Sequence, residues 1–171
     1  ASYLRKRLNE VHRAQSDSRL QTISSTNLAD IQRITFDKGG FSLLFYRTAV
    51  RPPETTAEAQ WLFGLGAMMQ LSNDVFDVYK DREAGVRTLV TEATHISDIR
   101  SLFCATLQSL FQQKSIVQPT AATRSFLSLI TLGIFARTLV CLDQLEALQI
   151  KTGQRFTVQA YSRQQLICDM D

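Results

Sequence analysis

At 171 residues, with 44% hydrophobic and 20% charged side chains, the chain is long enough for one domain with a substantial core and not comfortably enough for two. Its formal charge of +3 calls for no nucleic-acid partner, and the Arg5-Lys6-Arg7 cluster reads as the wet face of an N-terminal helix. A mean hydropathy of −0.08, with the longest apolar run, Phe126 to Ala136, cut by Arg137, argues against a membrane-spanning segment and for a soluble protein.

The pattern is helical throughout. A first helix is expected from about Ser2 to Gln15, and the polar stretch Ser16 to Asn27 leads to a second, which carries Lys38 and ends before Arg51-Pro52-Pro53. Inside the second helix Gly39 and Gly40 are adjacent, each costing roughly 1 kcal/mol relative to alanine. Such a pair implies a kink, a ligand close to the backbone, or a tight contact with another helix. Thr55-x-x-Glu58 reads as a capping box that opens a long third helix, for which Gly85 supplies the C-cap. After a loop from Val86 to Thr94, Ser97 caps a helix to about Lys114. Pro119, at a first-turn position, opens another long apolar helix that stops near Gly153, and a short helix over roughly Thr157 to Cys168 comes last. Cys104, Cys141 and Cys168 sit in apolar helical patterns without a C-x-x-C pair or a His cluster. They read as reduced thiols in a reducing, cytoplasmic compartment, not as zinc ligands.

The third helix carries the most distinctive stretch. Its first turns, Trp61-Leu-Phe-Gly-Leu-Gly-Ala-Met-Met-Gln-Leu71, are apolar nearly all the way round, the mark of a buried helix. Oxygen-bearing side chains follow at i, i+4 and i+8: Asn73, Asp77 and Asp81, with Asp74 beside them. At about 100° and about 1.5 Å per residue, these three span roughly 80° of arc and roughly 12 Å of axis. Acids at the C-terminal end of a buried helix are disfavoured by its macrodipole, by about 0.3–1 kcal/mol each, and they repel one another. Something positive should compensate them. Carboxylate and amide oxygens without His or Cys suit a hard cation such as Mg²⁺, which commonly bridges a few carboxylates to phosphates. Lys80, Arg82 and Arg87 follow closely, to pair with the acids or to hold an anion. The other reading of the stripe is an ordinary charged helix end with local salt bridges.

The run Gln70-Leu-Ser-Asn73-Asp74-Val-Phe-Asp77-Val-Tyr-Lys80-Asp81 resembles the second aspartate-rich motif of class I isoprenoid synthases, in three dialects. Against Q-x-x-D-D-x-x-D of trans-isoprenyl diphosphate synthases it matches Gln70, Asp74 and Asp77, with Asn73 replacing the first Asp. Against N-D-x-x-S-x-x-K-E of terpene cyclases it matches Asn73, Asp74 and Lys80, with Asp77 and Asp81 in the Ser and Glu positions. Continued through Arg82-Glu-Ala-Gly85-Val-Arg87, it also looks like the Q-L-T-N-x-x-R-D-V-x-x-D-x-x-x-G-R pattern of squalene and phytoene synthases. The membrane-embedded aromatic prenyltransferases share N-D-x-x-D-x-x-x-D, but the short apolar runs favour the soluble families. Upstream, Phe36-Asp-Lys38-Gly39-Gly40-Phe-Ser-Leu-Leu-Phe45 is similar to the K-T-G-x-L-F helix of isoprenyl diphosphate synthases, with Gly39 where that family has Thr. Together the two matches cover most of residues 28–90.

The resemblance implies an all-α helical bundle of the isoprenoid (terpenoid) synthase type, and a homodimer. It implies Mg²⁺ held by Asn73, Asp74, Asp77 and Asp81, with Asp77 and Asp81 catalytic, and the diphosphate of a prenyl substrate bound by Lys38, Lys80 and Arg87. The reaction would be ionisation of an allylic isoprenoid diphosphate, leading to prenyl transfer, head-to-head coupling or cyclisation. Leu62, Gly66 and Met69 lie within roughly 40° of Asn73 in helical projection, so with Gln70 they are expected to line the prenyl cavity, the glycine leaving room for the chain. Class I synthases also carry a first aspartate-rich motif facing the second. Before Asn73 this chain has only Asp17, Asp30 and Asp37, without D-x-x-D spacing, so the bundle is expected to be incomplete on its N-terminal side, the C-terminal part of a longer polypeptide. Tyr161-Ser-Arg163 loosely echoes the Arg-Tyr pair with which many terpene cyclases hold diphosphate. Two other classes stay open: an inactive binding or scaffold relative, and a helical interaction domain with a salt-bridged acidic surface.

Overall fold

In the computed structural model, which describes residues 2–53, 55–113 and 121–168, every regular element is helical, and no strand occurs among the described residues. The all-α expectation holds. Helix α1 (Ser2–Asp17) lies on α2 (Leu28–Val50), and α2 lies along α3 (Thr56–Phe76), which also meets α5 (Ile96–Gln112) and α7 (Arg137–Thr152). The apolar circumference of α3 explains this central place, because only a helix surrounded by others can bury such a surface. Trp61, Leu65, Met68, Leu71 and Val75 of α3 are buried, with Ile31 and Leu44 of α2, Phe103 of α5, and Leu142 and Leu145 of α7. Trp61 also pins α3 to the end of α5, its Nε1 donating to the Leu110 carbonyl at 3.0 Å.

The glycines of α2 serve a helix crossing. A Cβ on Gly39 would stand 2.2 Å from the Gly66 carbonyl oxygen, and one on Gly66 would stand 2.4 Å from that of Gly39. Gly40 similarly leaves space for the Phe63 ring, 2.4 Å from where its Cβ would be. Of the three explanations open for the glycine pair, the structure supplies close contact between helices.

Thr55 accepts the Glu58 N–H at 3.0 Å as expected, while the Glu58 carboxylate meets Arg47 of α2 at 2.9 Å. The third helix does not run unbroken to Gly85. At Asp77 the backbone leaves the helical range (φ −93°, ψ 11°), and α4 (Val78–Glu83) resumes directly after it. The hydrogen-bond ladder passes through the irregular residue: the Asp77 N–H donates to Asn73 O and the Asp81 N–H to Asp77 O, each at 2.8 Å. Gly85, at φ 66°, ends α4 as expected; its N–H reaches Arg82 O and that of Val86 reaches Asp81 O, the two bonds of a Schellman ending.

Ser97 does not cap α5. That helix starts at Ile96, whose N–H is taken at 3.0 Å by Oε1 of Gln149, 53 residues away on α7. A cap from so distant a residue has no local signature. The expected helix end at Lys114 and the Pro119 start lie outside the described residues.

Helix α6 (Ala121–Ile130), a π-helical turn (Thr131–Ala136) and α7 continue one another until Gly153, at φ 63°, ends the run as expected. Residues 124–152 are long and apolar enough to cross a membrane by length and composition, with a mean hydropathy of 1.9 in an 18-residue window that is 28% buried. This corrects the expectation that Arg137 cuts the run: one arginine does not offset so many apolar neighbours. Its guanidinium lies 5.1 Å from the centre of the Phe76 ring, and Leu129, Leu132 and Ile150 are exposed.

The last predicted helix is replaced by a 3₁₀ turn (Val158–Ala160) and a short α8 (Arg163–Leu166) with a Ser162/Gln165 capping box. Tyr161 separates them in extended conformation, its ring stacked on Phe156 and its carbonyl accepting from Arg82.

Candidate functional site

Of the predicted polar residues, Lys38, Gln70, Asn73, Asp74, Asp77, Lys80 and Asp81 meet where α2 faces the α3–α4 junction. Asp74, on the inner side of α3, is 4% exposed, and its carboxylate accepts from Gln70 Nε2 at 2.9 Å and from Thr35 Oγ1 of α2 at 3.1 Å. Burial pushes its carboxyl up to about 7; the Asp81 charge adds to this, while the hydrogen bonds and Lys38 oppose it. Thr35 was not among the predicted residues. It precedes Lys38 by three, so both fall on one face of α2, and this spacing was the signal available.

Asp81, on α4, is half-buried, and its carboxyl is pushed up to about 6, first by burial and then by Asp77, against the pull of Lys38 and Lys80. Asp77 accepts from Asn73 Nδ2 at 3.1 Å, and Lys80 Nζ stands 3.6 Å from the same Oδ2. Lys38 thus acts on both Asp74 and Asp81 from the facing helix. Among the described residues no three His, Cys, Asp or Glu side chains are gathered closely enough to hold a metal ion. The oxygen donors here are carboxylates and an amide, the type that hard cations take, and two of the carboxyl groups are held above their ordinary range first by burial and then by a neighbouring aspartate, Asp81 acting on Asp74 and Asp77 on Asp81.

Asp74 makes stability depend on pH in a defined direction. An unfolded aspartate titrates near 3.9, so between about pH 4 and about pH 7 the folded chain binds more protons than the unfolded one, and stability falls as pH rises. Urea denaturation at pH 5 and pH 8 should show a loss on the order of a few kcal/mol in the wild type and a smaller one in Asp74→Asn. Equal pH dependence in both proteins would show that Asp74 is not the group responsible.

Other predicted residues stand apart from this cluster. Arg87 donates to the carbonyls of Ile23, Ser24 and Thr26, at 2.7–2.9 Å, and pairs with Glu92 at 2.8 Å. Its guanidinium fastens the loop after α4 to the segment before α2. Leu62 belongs to the buried core. Gly66, Met69 and Gln70 line, with Gly39, Ser42, Leu43, Tyr46 and Asn73, an open groove of about 330 Å³ between α2 and α3. The room expected beside Gly66 is partly taken by the α2 backbone. The enclosed apolar void between α3, α5 and α6, lined in part by Trp61, Leu110 and Phe135, holds only about 10 Å³.

Asp17, Asp30 and Asp37, scattered in the sequence, gather round one guanidinium: Arg33 stands 3.2, 3.7 and 3.4 Å from them. Arg163 lies over the Tyr79 ring at 5.6 Å, with Arg82 at 4.8 Å, so the Tyr161-Ser-Arg163 echo abuts α4. No protein-family model, curated protein or solved structure matches the chain.

Proposed function

We propose that the α2–α3–α4 junction binds an isoprenoid diphosphate with Mg²⁺, as the resemblance to class I isoprenoid synthases implies, and that the site serves ionisation of an allylic C–O bond. The observation that carries this reading is the crowding of Asp74, Asp77 and Asp81 at one partly buried junction, where two of them are pushed well above the carboxylate range. Stability alone gives no reason to assemble charges at such a cost, whereas a site for a cation and an anionic substrate does. Asn73, Asp77 and Asp81 would hold Mg²⁺, which when bound supplies charge that offsets the leaving diphosphate. Lys38 and Lys80 would bind diphosphate oxygens. Asp74 would position the set by bracing Gln70 and Thr35, and Arg87, already engaged, is left out. The groove beside Asn73 would offer the prenyl chain a track over Leu43, Gly66 and Met69.

An inactive binding relative is the second reading, favoured by one observation: the acids upstream of Asn73 neutralise Arg33 and form no facing motif.

Thermal unfolding with Mg²⁺ alone, pyrophosphate alone, and both together tests the binding that the two readings share. A ligand at 100 times its Kd adds about 2.7 kcal/mol to the folded state, a rise of roughly 5–10 °C for a chain of this size. The expected result is a shift with the pair that exceeds the sum of the separate shifts. No shift under any condition would turn attention to a helical interaction domain. Release of pyrophosphate from an allylic diphosphate would then separate the enzyme from the inactive binder.

A further inference from the structure

Residues 124–152 form one helix through α6, the π-helical turn and α7, and its two sides differ in what covers them. Ile130, Phe135, Thr138, Cys141 and Leu145 are buried on the inner side, the wider π-turn taking up the five-residue step from Ile130 to Phe135. The outer side is bare. Leu129 is 69%, Leu132 72%, Val140 41% and Ile150 78% exposed, with Ala136 and Ala147 exposed between them. So long a row of apolar surface marks a place of contact. Between residues 125 and 150 the exposed charges are Arg137 and Asp143, which stand three residues to either side of Val140. Asp143 gives Oδ1 to Arg100 of α5, yet its side chain stays 68% exposed and can accept again.

We propose that two copies of the chain meet on this face, their helices antiparallel, with Val140 on the two-fold axis. A helix running the opposite way through that axis sets each residue level with the one equally far on the other side of Val140. Arg137 of one protomer then stands level with Asp143 of its partner, twice over, about 4.5 Å along the helix from Val140. That is within the reach of an arginine side chain across the seam. Leu129 and Ile150, eleven and ten residues from Val140, cover one another in the same way. A parallel pair in register would set like charge beside like charge. A lipid bilayer would hold Arg137 and Asp143 near the middle of its apolar core, where charged groups are disfavoured. Charge therefore selects a second copy over lipid, and one direction over the other. The inference rests on this face alone, not on the diphosphate or the homodimer that the resemblance implies.

Sedimentation velocity of the whole chain at rising micromolar concentration should show a species of twice the 19.3 kDa chain mass. Val140→Glu puts two like charges on the axis and should weaken association about a hundredfold or more. The monomer should keep its helical circular dichroism, because Val140 is already partly exposed. Val140→Cys, combined with Cys104→Ser to remove the exposed native thiol, should link to its own counterpart under mild oxidation. Leu129→Cys in the same background should not, because antiparallel copies hold that position roughly 30 Å apart. The two cysteine variants decide the matter should the glutamate unfold the chain. A chain that stays monomeric, a dimer untouched by Val140→Glu, self-linking of Leu129→Cys, or a monomer that sediments with neutral phosphatidylcholine vesicles would each overturn the proposal.

Discussion

Gly39→Ala should lower the stability of the fold by about 3 kcal/mol or more, a fall in melting temperature of roughly 6–12 °C. The added methyl would sit 2.2 Å from the Gly66 carbonyl oxygen and 2.7 Å from Gln70 Cβ, distances that no rotamer change relieves because the obstacle includes backbone. Relief requires α2 and α3 to move apart, and this is the most extensive helix contact among the described residues. The displacement would also separate Thr35 from Asp74, so loss of stability and loss of the polar junction should come together. Gly133→Ala is the control. That glycine is exposed in a helical turn, and its Cβ would meet nothing within 4 Å among the described residues, so alanine there should be neutral or stabilise by up to about 1 kcal/mol. Equal melting of the two variants would mean that α2 and α3 do not cross at Gly39 and Gly66.

Asp77→Asn and Asp81→Asn should each weaken Mg²⁺-dependent pyrophosphate binding about a hundredfold, or about 2.7 kcal/mol, while leaving the free chain folded. Stability and affinity should move in opposite directions for Asp81→Asn. Its folded carboxyl titrates at about 6, above the unfolded value, so at neutral pH its charge costs stability that the amide does not. Thermal unfolding at pH 7.5 should therefore give a slightly higher midpoint without ligand, and a much smaller rise with Mg²⁺ and pyrophosphate. A salt-bridged interaction surface predicts the first effect and not the second. Wild-type ligand stabilisation in both variants would sink the metal-site reading.

Much of the site was legible because helical spacing is a local property. The stripe of Asn73, Asp77 and Asp81 follows from i, i+4, and the i, i+3 step from Thr35 to Lys38 was equally readable. Whether those side chains reach one another is a different matter. Asp74 looked like a fourth ligand by its place in the motif, and it is the neighbouring helix, through Thr35, that draws it inward. Arg87 looked available for a diphosphate, and the carbonyls of residues 23, 24 and 26 claim it.

By itself the sequence determined an all-helical chain, a buried α3, the Thr55 cap and the endings at Gly85 and Gly153. Each rests on periodicity or on φ preferences acting within a few residues. The tertiary structure alone decided that Gly39 meets Gly66, that Gln149 caps α5, and that three scattered aspartates share Arg33. Backbone approach, desolvation and side-chain pairing between distant segments set these outcomes, and such energies exist only once the helices are packed.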